Sequence, residues 1–312
     1  MKKIDNVLLI GVGAMGSFLA PRLYESLGEA HFHVVADGMR KRRLEEQGLG
    51  INGAVCKFPV FEPGTPGHVA DLIIIGVKST GLDRALEDIA AFVGPDTVFL
   101  PLLNGVDSEE RVGAKYGDAN VLHALMRVSV VMKDGRCTYD PDLGCILFGE
   151  KDNRIHSDRV SAVEDVFVKA GIPYEIPEDM LHAQWFKYAC NVGENLSCAL
   201  LGVPFGAFTR SDHVNYIRET AMREVIAIAR KLGIALGEEE VARQSITLKS
   251  IPFENKPSTL QDLEAGRKTE IDMLAGEVVR LGERLGVPTP MAALLDHAIR
   301  ALEEKNEGLF IR

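Results

Sequence analysis

Lys187, Asn191 and Asn195 stand at four-residue intervals in the run WFKYACNVGENLS, Trp185–Ser197. Four residues is about one helical turn, so a helix puts all three side chains on one stripe. Asn is a poor helix-interior residue because its amide competes for backbone hydrogen bonds, and Gly193 costs about another 1 kcal/mol relative to Ala. A Lys-Asn-Asn line among Trp185, Phe186, Tyr188 and Leu196 faces either water or a substrate. The chemistry it suits is recognition of a small anion. The ammonium offers charge and a proton, and the amides bind hydroxyl or carboxylate oxygens without adding charge.

A second group is the glycine loop Gly11-Val12-Gly13-Ala14-Met15-Gly16, which follows the apolar run Asn6–Ile10 and opens a helical pattern reaching Leu27. Glycines at this spacing allow a tight turn, approach of a pyrophosphate to the backbone, and close helix–strand packing. The helix N-terminus adds free amides and partial positive charge, so these residues predict a dinucleotide site. Asp37 ends the second strand, His31–Ala36, where a carboxylate takes the ribose hydroxyls of NAD; Arg40 opens the basic run RKRR, which suits the 2′-phosphate of NADP. The run reads equally as a solvated helix face, and both cofactors stay open on these residues. Lys78 and Asn104 follow the next two apolar strands, where side chains of a doubly wound sheet face the cofactor crevice; Asn104-Gly105 is also a strong turn dipeptide.

A third group lies in KPSTLQDLEAGRKTEIDMLAG. Ser258 and Gln261 have capping-box spacing, which makes Ser258 a helix N-cap. Glu270 is twelve residues further on, about 18 Å along an unbroken helix, too far to share one small substrate. A helix break at Gly266, with a second helix starting near Thr269, would bring the two together and is predicted.

The elements that must position these groups fall into two kinds. Up to about residue 177, apolar strands (Asp71–Val77 and Thr97–Leu103 among them) alternate with helices, as in a parallel sheet covered on both faces. The runs Val121–Met132 and Cys145–Glu150 read as added antiparallel strands, and Ser157–Gly171 as a last helix before another strand. Beyond Pro177 helical periodicity dominates, with Ile217, Ala221, Val225 and Ile228 on one face. The chain therefore reads as an α/β Rossmann-type doubly wound domain, 1–177, followed by an all-α domain, 178–312. At 312 residues two domains are the sensible expectation.

A formal charge of −10 argues against nucleic acid as a partner, and no run approaches 18 apolar residues, so no membrane partner is expected. Five cysteines without paired spacing read as free thiols in a reducing, cytoplasmic setting. Eight scattered histidines give no metal site, although His31 and His33 share a strand face.

In order along the chain, GVGAMG, VK, LNG, WFKYACNVGENLS and STLQDLEAGRKTEID resemble the ketopantoate reductase (2-dehydropantoate 2-reductase) family over nearly the whole length. The resemblance implies a 6-phosphogluconate-dehydrogenase-like fold, with the active site in a cleft between a Rossmann and a helical domain. It implies NADPH-dependent reduction of 2-dehydropantoate, a small anionic keto acid, to (R)-pantoate on the route to pantothenate and coenzyme A. By motif position Lys187 is the general acid, and Asn191, Asn195 and Ser258 hold substrate. Asn104 touches both cofactor and substrate, Glu270 lies at their junction, and Lys78 borders the cofactor. Helical second domains of such reductases often pair, which allows a homodimer.

Departures from the pattern are Leu103 for a frequent Gln, Leu196 for Pro, Pro257 for Ser, Ala275 for Asn, and Asp37 where an Arg commonly ends the second strand. They bear on cofactor choice, with NAD admitted by Asp37, and on substrate identity. The alternatives are a reductase of another small 2-keto acid and a non-catalytic NAD(P)-binding regulator.

Overall fold

Seven strands form in the first third of the chain: β1 (Val7–Ile10), β2 (Phe32–Val35), β3 (Leu49–Ile51), β4 (Ala54–Cys56), β5 (Val60–Phe61), β6 (Ala70–Ile75) and β7 (Val93–Pro101). These belong to a computed structural model that describes residues 3–310 apart from Ser129, Asp134 and Leu143. The predicted Val121–Met132 run therefore includes one position, Ser129, outside the described residues.

Strands β5-β2-β1-β6-β7 make a wholly parallel sheet in that order. Helices α1 (Ala14–Leu27), α2 (Gly38–Glu46) and α3 (Leu82–Asp88) lie in the connections, as parallel pairing requires. All four residues of β1 are buried, which explains the continuous apolar run VLLI. The strand order departs in opposite directions from β1, toward β2 and toward β6, so the switch point lies at the carboxyl ends of β1 and β6.

After α4 (Ser108–Tyr116) come β8 (His123–Arg127), β9 (Val131–Lys133), β10 (Arg136–Thr138) and β11 (Cys145–Gly149), then α5 (Asp158–Lys169) and β12 (Tyr174–Glu175). β8 and β11 pair antiparallel as predicted, and β12 adds alongside β11 in parallel. A third sheet, β4-β3-β10-β9, was not anticipated. Its β3–β4 hairpin turns on Asn52-Gly53 with φ of 48° and 85°, the positive pair that a two-residue hairpin turn demands. That dipeptide was a visible signal, but strands of three residues gave it no periodic flanks.

The helical remainder comprises α6 (Met180–Cys190), α7 (Leu196–Leu201), α8 (Asp212–Lys231), α9 (Glu238–Thr247), α10 (Ser258–Glu264), α11 (Glu277–Leu285) and α12 (Pro290–Asn306). Two π turns, Asn191–Asn195 and Asp272–Gly276, lead into α7 and α11. The chain divides into two compact units: one runs to Leu103 and resumes over Asp107–Leu181, and the other joins Asn104–Val106 to His182 and the residues after it. Pro177 lies between β12 and α6, a few residues ahead of that division. Among the described residues no helix is long and apolar enough to cross a membrane, and no cluster of three or more His, Cys, Asp or Glu could hold a metal ion.

Candidate functional site

In the first unit the three glycines of the loop have three different surroundings. Gly11 has φ +96°, and a Cβ there would sit 2.6 Å from the Gly76 carbonyl carbon. At Gly16 a Cβ would lie 2.2 Å from Gly11 O, so α1 meets the β1 turn backbone to backbone. Gly13 caps α1 in an extended conformation, and a Cβ there would meet nothing within 4 Å. No side chain caps this helix and no acid lies in its first turn, leaving the Ala14, Met15 and Gly16 amides to an external acceptor. An uncapped, unobstructed helix start fits a pyrophosphate.

Asp37 is the N-cap of α2, but its carboxylate makes no capping bond; Oδ2 lies 3.3 Å from Arg84 Nη2 of α3. Arg40 stands exposed in the first turn of α2, its amide donating to Asp37 O at 3.0 Å. The basic run is thus largely a solvated face around the single buried Leu44, with Arg40 and Asp37 one turn apart. Arg84 was missed, since nothing local links it to a position 47 residues earlier. Lys78 is exposed and precedes a short 3-10 turn, Ser79–Gly81, after β6.

In the second unit Lys187 and Asn191 converge on Asn104. Lys187 Nζ donates to Asn104 Oδ1 at 2.9 Å, and Asn191 Nδ2 donates to Asn104 O at 3.3 Å. All three are half-buried, so the polar line does not simply face water. The single-helix stripe needs correction, because α6 ends at Cys190 and Asn195 closes a π turn. Such a wide turn shifts Asn195 from the strict four-residue register and is a frequent mark of functional sites. Gly193 makes the turn possible: a Cβ there would lie 2.7 Å from Arg218 O and 2.5 Å from Met222 Cγ of α8.

The predicted capping box is absent. Pro257 takes the N-cap position of α10 and Ser258 is its first, exposed residue; Gln261 Nε2 instead donates to Lys256 O at 2.8 Å. Proline fixes the entry φ, so no serine cap is needed. The predicted break does occur. Gly266 has φ +62° and Arg267 N donates back to Asp262 O at 2.8 Å, closing the helix. The next helical element starts at Asp272, just after Glu270.

That segment is pinned from two sides. Glu303 of α12 accepts from Thr269 N and Oγ1, each at 2.7 Å; burial opposes its charge, but these bonds and Lys268 hold its carboxyl below the usual range. Tyr188 Oη lies 2.7 Å from Leu274 O and 3.0 Å from Met273 O, supplying a donor to carbonyls of the second π turn. Trp185 packs edge-on against Tyr188, 5.8 Å between ring centroids. Both α10 and the second π turn pack on the Asn191–Asn195 turn. Leu103 and Leu196, the two departures from the family pattern that bear on substrate, are both buried packing residues.

A family model described as ketopantoate reductase PanE/ApbA matches residues 7–153, and its C-terminal counterpart matches 179–303. A 2-dehydropantoate 2-reductase of Streptococcus pyogenes is 27% identical over 95% of this chain and 97% of its own. The solved PanE/ApbA family ketopantoate reductase from Ralstonia eutropha JMP134 superposes with TM-score 0.82 at 26% identity, covering 97% of this chain and 99% of that one. D-mandelate dehydrogenase, solved with NADH and anilino(oxo)acetate, shares the fold at TM-score 0.86 and 23% identity, over 96% and 99% of the two chains.

Proposed function

Since the chain belongs to the ketopantoate reductase family and is an NAD(P)H-dependent oxidoreductase of keto acids, we propose that it reduces 2-dehydropantoate to (R)-pantoate with NADPH, for pantothenate biosynthesis. The observation that carries the residue assignment is the convergence of Lys187 and Asn191 on Asn104. The nicotinamide, when bound, supplies a hydride to the ketone carbon. Lys187 donates to the ketone oxygen, stabilises the negative charge that develops there, and delivers the proton that completes the alcohol. Asn104 holds the Lys187 ammonium in place before substrate arrives. Asn191, Asn195 and Ser258 hold the substrate carboxylate and hydroxyl, and Glu270, anchored through Thr269 and Glu303, orients the substrate hydroxyl. Gly11–Gly16 takes the pyrophosphate, and Lys78 borders the cofactor.

The reading is tested by following loss of reduced-cofactor absorbance with 2-dehydropantoate and with other 2-keto acids. We expect kcat/KM for 2-dehydropantoate to lead by at least about tenfold, the low end of what one methylene's difference in a pocket produces. Equal turnover of another 2-keto acid would replace the substrate, and turnover of none would remove the reading.

NADPH is the expected cofactor because Arg40 is free to swing over a 2′-phosphate while Asp37 is drawn toward Arg84. Arg40→Ala is expected to raise the KM for NADPH about tenfold, the loss of one charge-assisted contact, and to leave NADH unchanged. An NADH preference in the wild type, insensitive to Arg40, would assign the ribose to Asp37 instead.

A further inference from the structure

Glu194 lies between Asn191 and Asn195 in the π turn, yet only 5% of its surface is exposed. Behind it Arg218 of α8 is wholly buried. The guanidinium donates through Nε to Asn215 at 3.1 Å and through Nη2 to Ser245 at 2.7 Å and Glu219 at 2.9 Å. Its Nη1 is left with the Met222 sulfur at 3.6 Å. Glu194 Oε1 stands 4.0 Å from that nitrogen and accepts no hydrogen bond. Buried charges in this arrangement weaken a fold more often than they strengthen it, and hydrocarbon of the same volume would pack as well. The place of Glu194 in the turn that carries Asn191 and Asn195 calls for another role.

We propose that Glu194 is a positioning residue whose carboxylate, drawn onto Arg218 Nη1, sets the rotation of the Asn191–Asn195 turn and thereby the affinity for the keto acid. The inference rests on the reading of Asn191 and Asn195 as substrate ligands. A hydrogen bond needs about 3 Å, so the carboxylate stands roughly 1 Å short of its partner. At Gly193 the backbone of the turn lies against Arg218 and Met222 of α8, so the pull of the carboxylate toward Arg218 Nη1 acts on the turn that carries Asn191 and Asn195.

The lock changes charge in the neutral range. Burial pushes the Glu194 carboxyl up to about 7, with Gln244 and Arg218 only partly opposing it. The groups around it are Arg218 and Glu219 on α8, Cys198 on α7, and Gln244 and Ser245 on α9. Cys198, pushed up to about 12 by burial and then by Glu194, stays protonated. Asp262 of α10 is tied to Arg267, and Asp272 of the second π turn to Arg300. Above about pH 7 the carboxylate is ionised and the lock engaged; below it the lock opens and substrate affinity falls.

The test is the keto-acid KM and kcat of the full-length enzyme from pH 6 to 8.5. In the wild type KM should rise about tenfold as pH falls, an ordinary coupling between two sites, with its midpoint near 7. Glu194→Gln should hold the high KM at every pH, with kcat and the cofactor KM within about threefold of wild type. Gln244→Leu removes a bond that favours the ionised carboxyl, so it should move the midpoint to higher pH; it also carries the test if Glu194→Gln fails to fold. A wild-type KM flat across this range, an unmoved midpoint in Gln244→Leu, or a wild-type profile in Glu194→Gln overturns the lock alone. Absence of wild-type turnover on any 2-keto acid removes instead the reading on which it rests.

Discussion

Lys187→Ala is expected to lower kcat/KM for the keto acid by at least about 100-fold, the scale on which a lost proton donor acts. The fall should appear in kcat, because charge on the ketone oxygen develops only as the hydride arrives. Asn104, a hydrogen-bond partner of Lys187, is neutral and can replace neither the charge nor the proton. Lys187→Gln keeps a neutral hydrogen-bond donor near Asn104 Oδ1 but supplies neither the charge nor a proton, so it should resemble Ala. Cofactor affinity, assigned to the glycine loop in the proposed function, should stay within about threefold in both variants. Activity of Lys187→Ala within threefold of wild type would take the general acid away from this residue.

Gly13→Ala and Gly16→Ala are expected to fail in different ways. A methyl at Gly13 enters open space in a conformation any residue adopts, so the variant should melt with the wild type. It should bind reduced cofactor about 10- to 100-fold more weakly, because the methyl stands where the phosphates must approach; each tenfold is 1.4 kcal/mol. At Gly16 the methyl would lie 2.2 Å from a backbone oxygen that cannot rotate away. That overpacking should destabilise the protein by roughly 1–3 kcal/mol as well as weakening the cofactor. Thermal melts with and without cofactor distinguish the two, and equal binding by Gly13→Ala and wild type would exclude a pyrophosphate at this loop.

The residues that announced themselves did so through short-range patterns. The glycine loop, the buried runs of β1 and β6, and the break at Gly266 each follow from conformational rules acting over a few residues. What stayed hidden depends on partners far apart in sequence. Pro257 displaced Ser258 as the cap because a fixed φ made a serine cap unnecessary. The π turns could not be seen, since Gly193 reads as a simple helix cost until α8 is known to press on it. Arg218 had a usable signal: it shares a face with Met222, Val225 and Ala229, all buried, at spacings of four, seven and eleven. A charge on an apolar stripe is expected to reach solvent, and only the structure joins it to Glu194. Asn104 was assigned by its place after a strand, but its union with Lys187 spans 83 residues.

Trp185 is the only tryptophan in the sequence. It is buried in α6, two residues before Lys187, and edge-on to the tyrosine that holds the second π turn. The fluorescence of the whole chain under selective excitation therefore comes from one indole in the helix that carries the lysine. On the proposed assignment, ligand binding at that helix should change this emission without turnover, so a variant too slow to assay should still report whether its substrate has arrived.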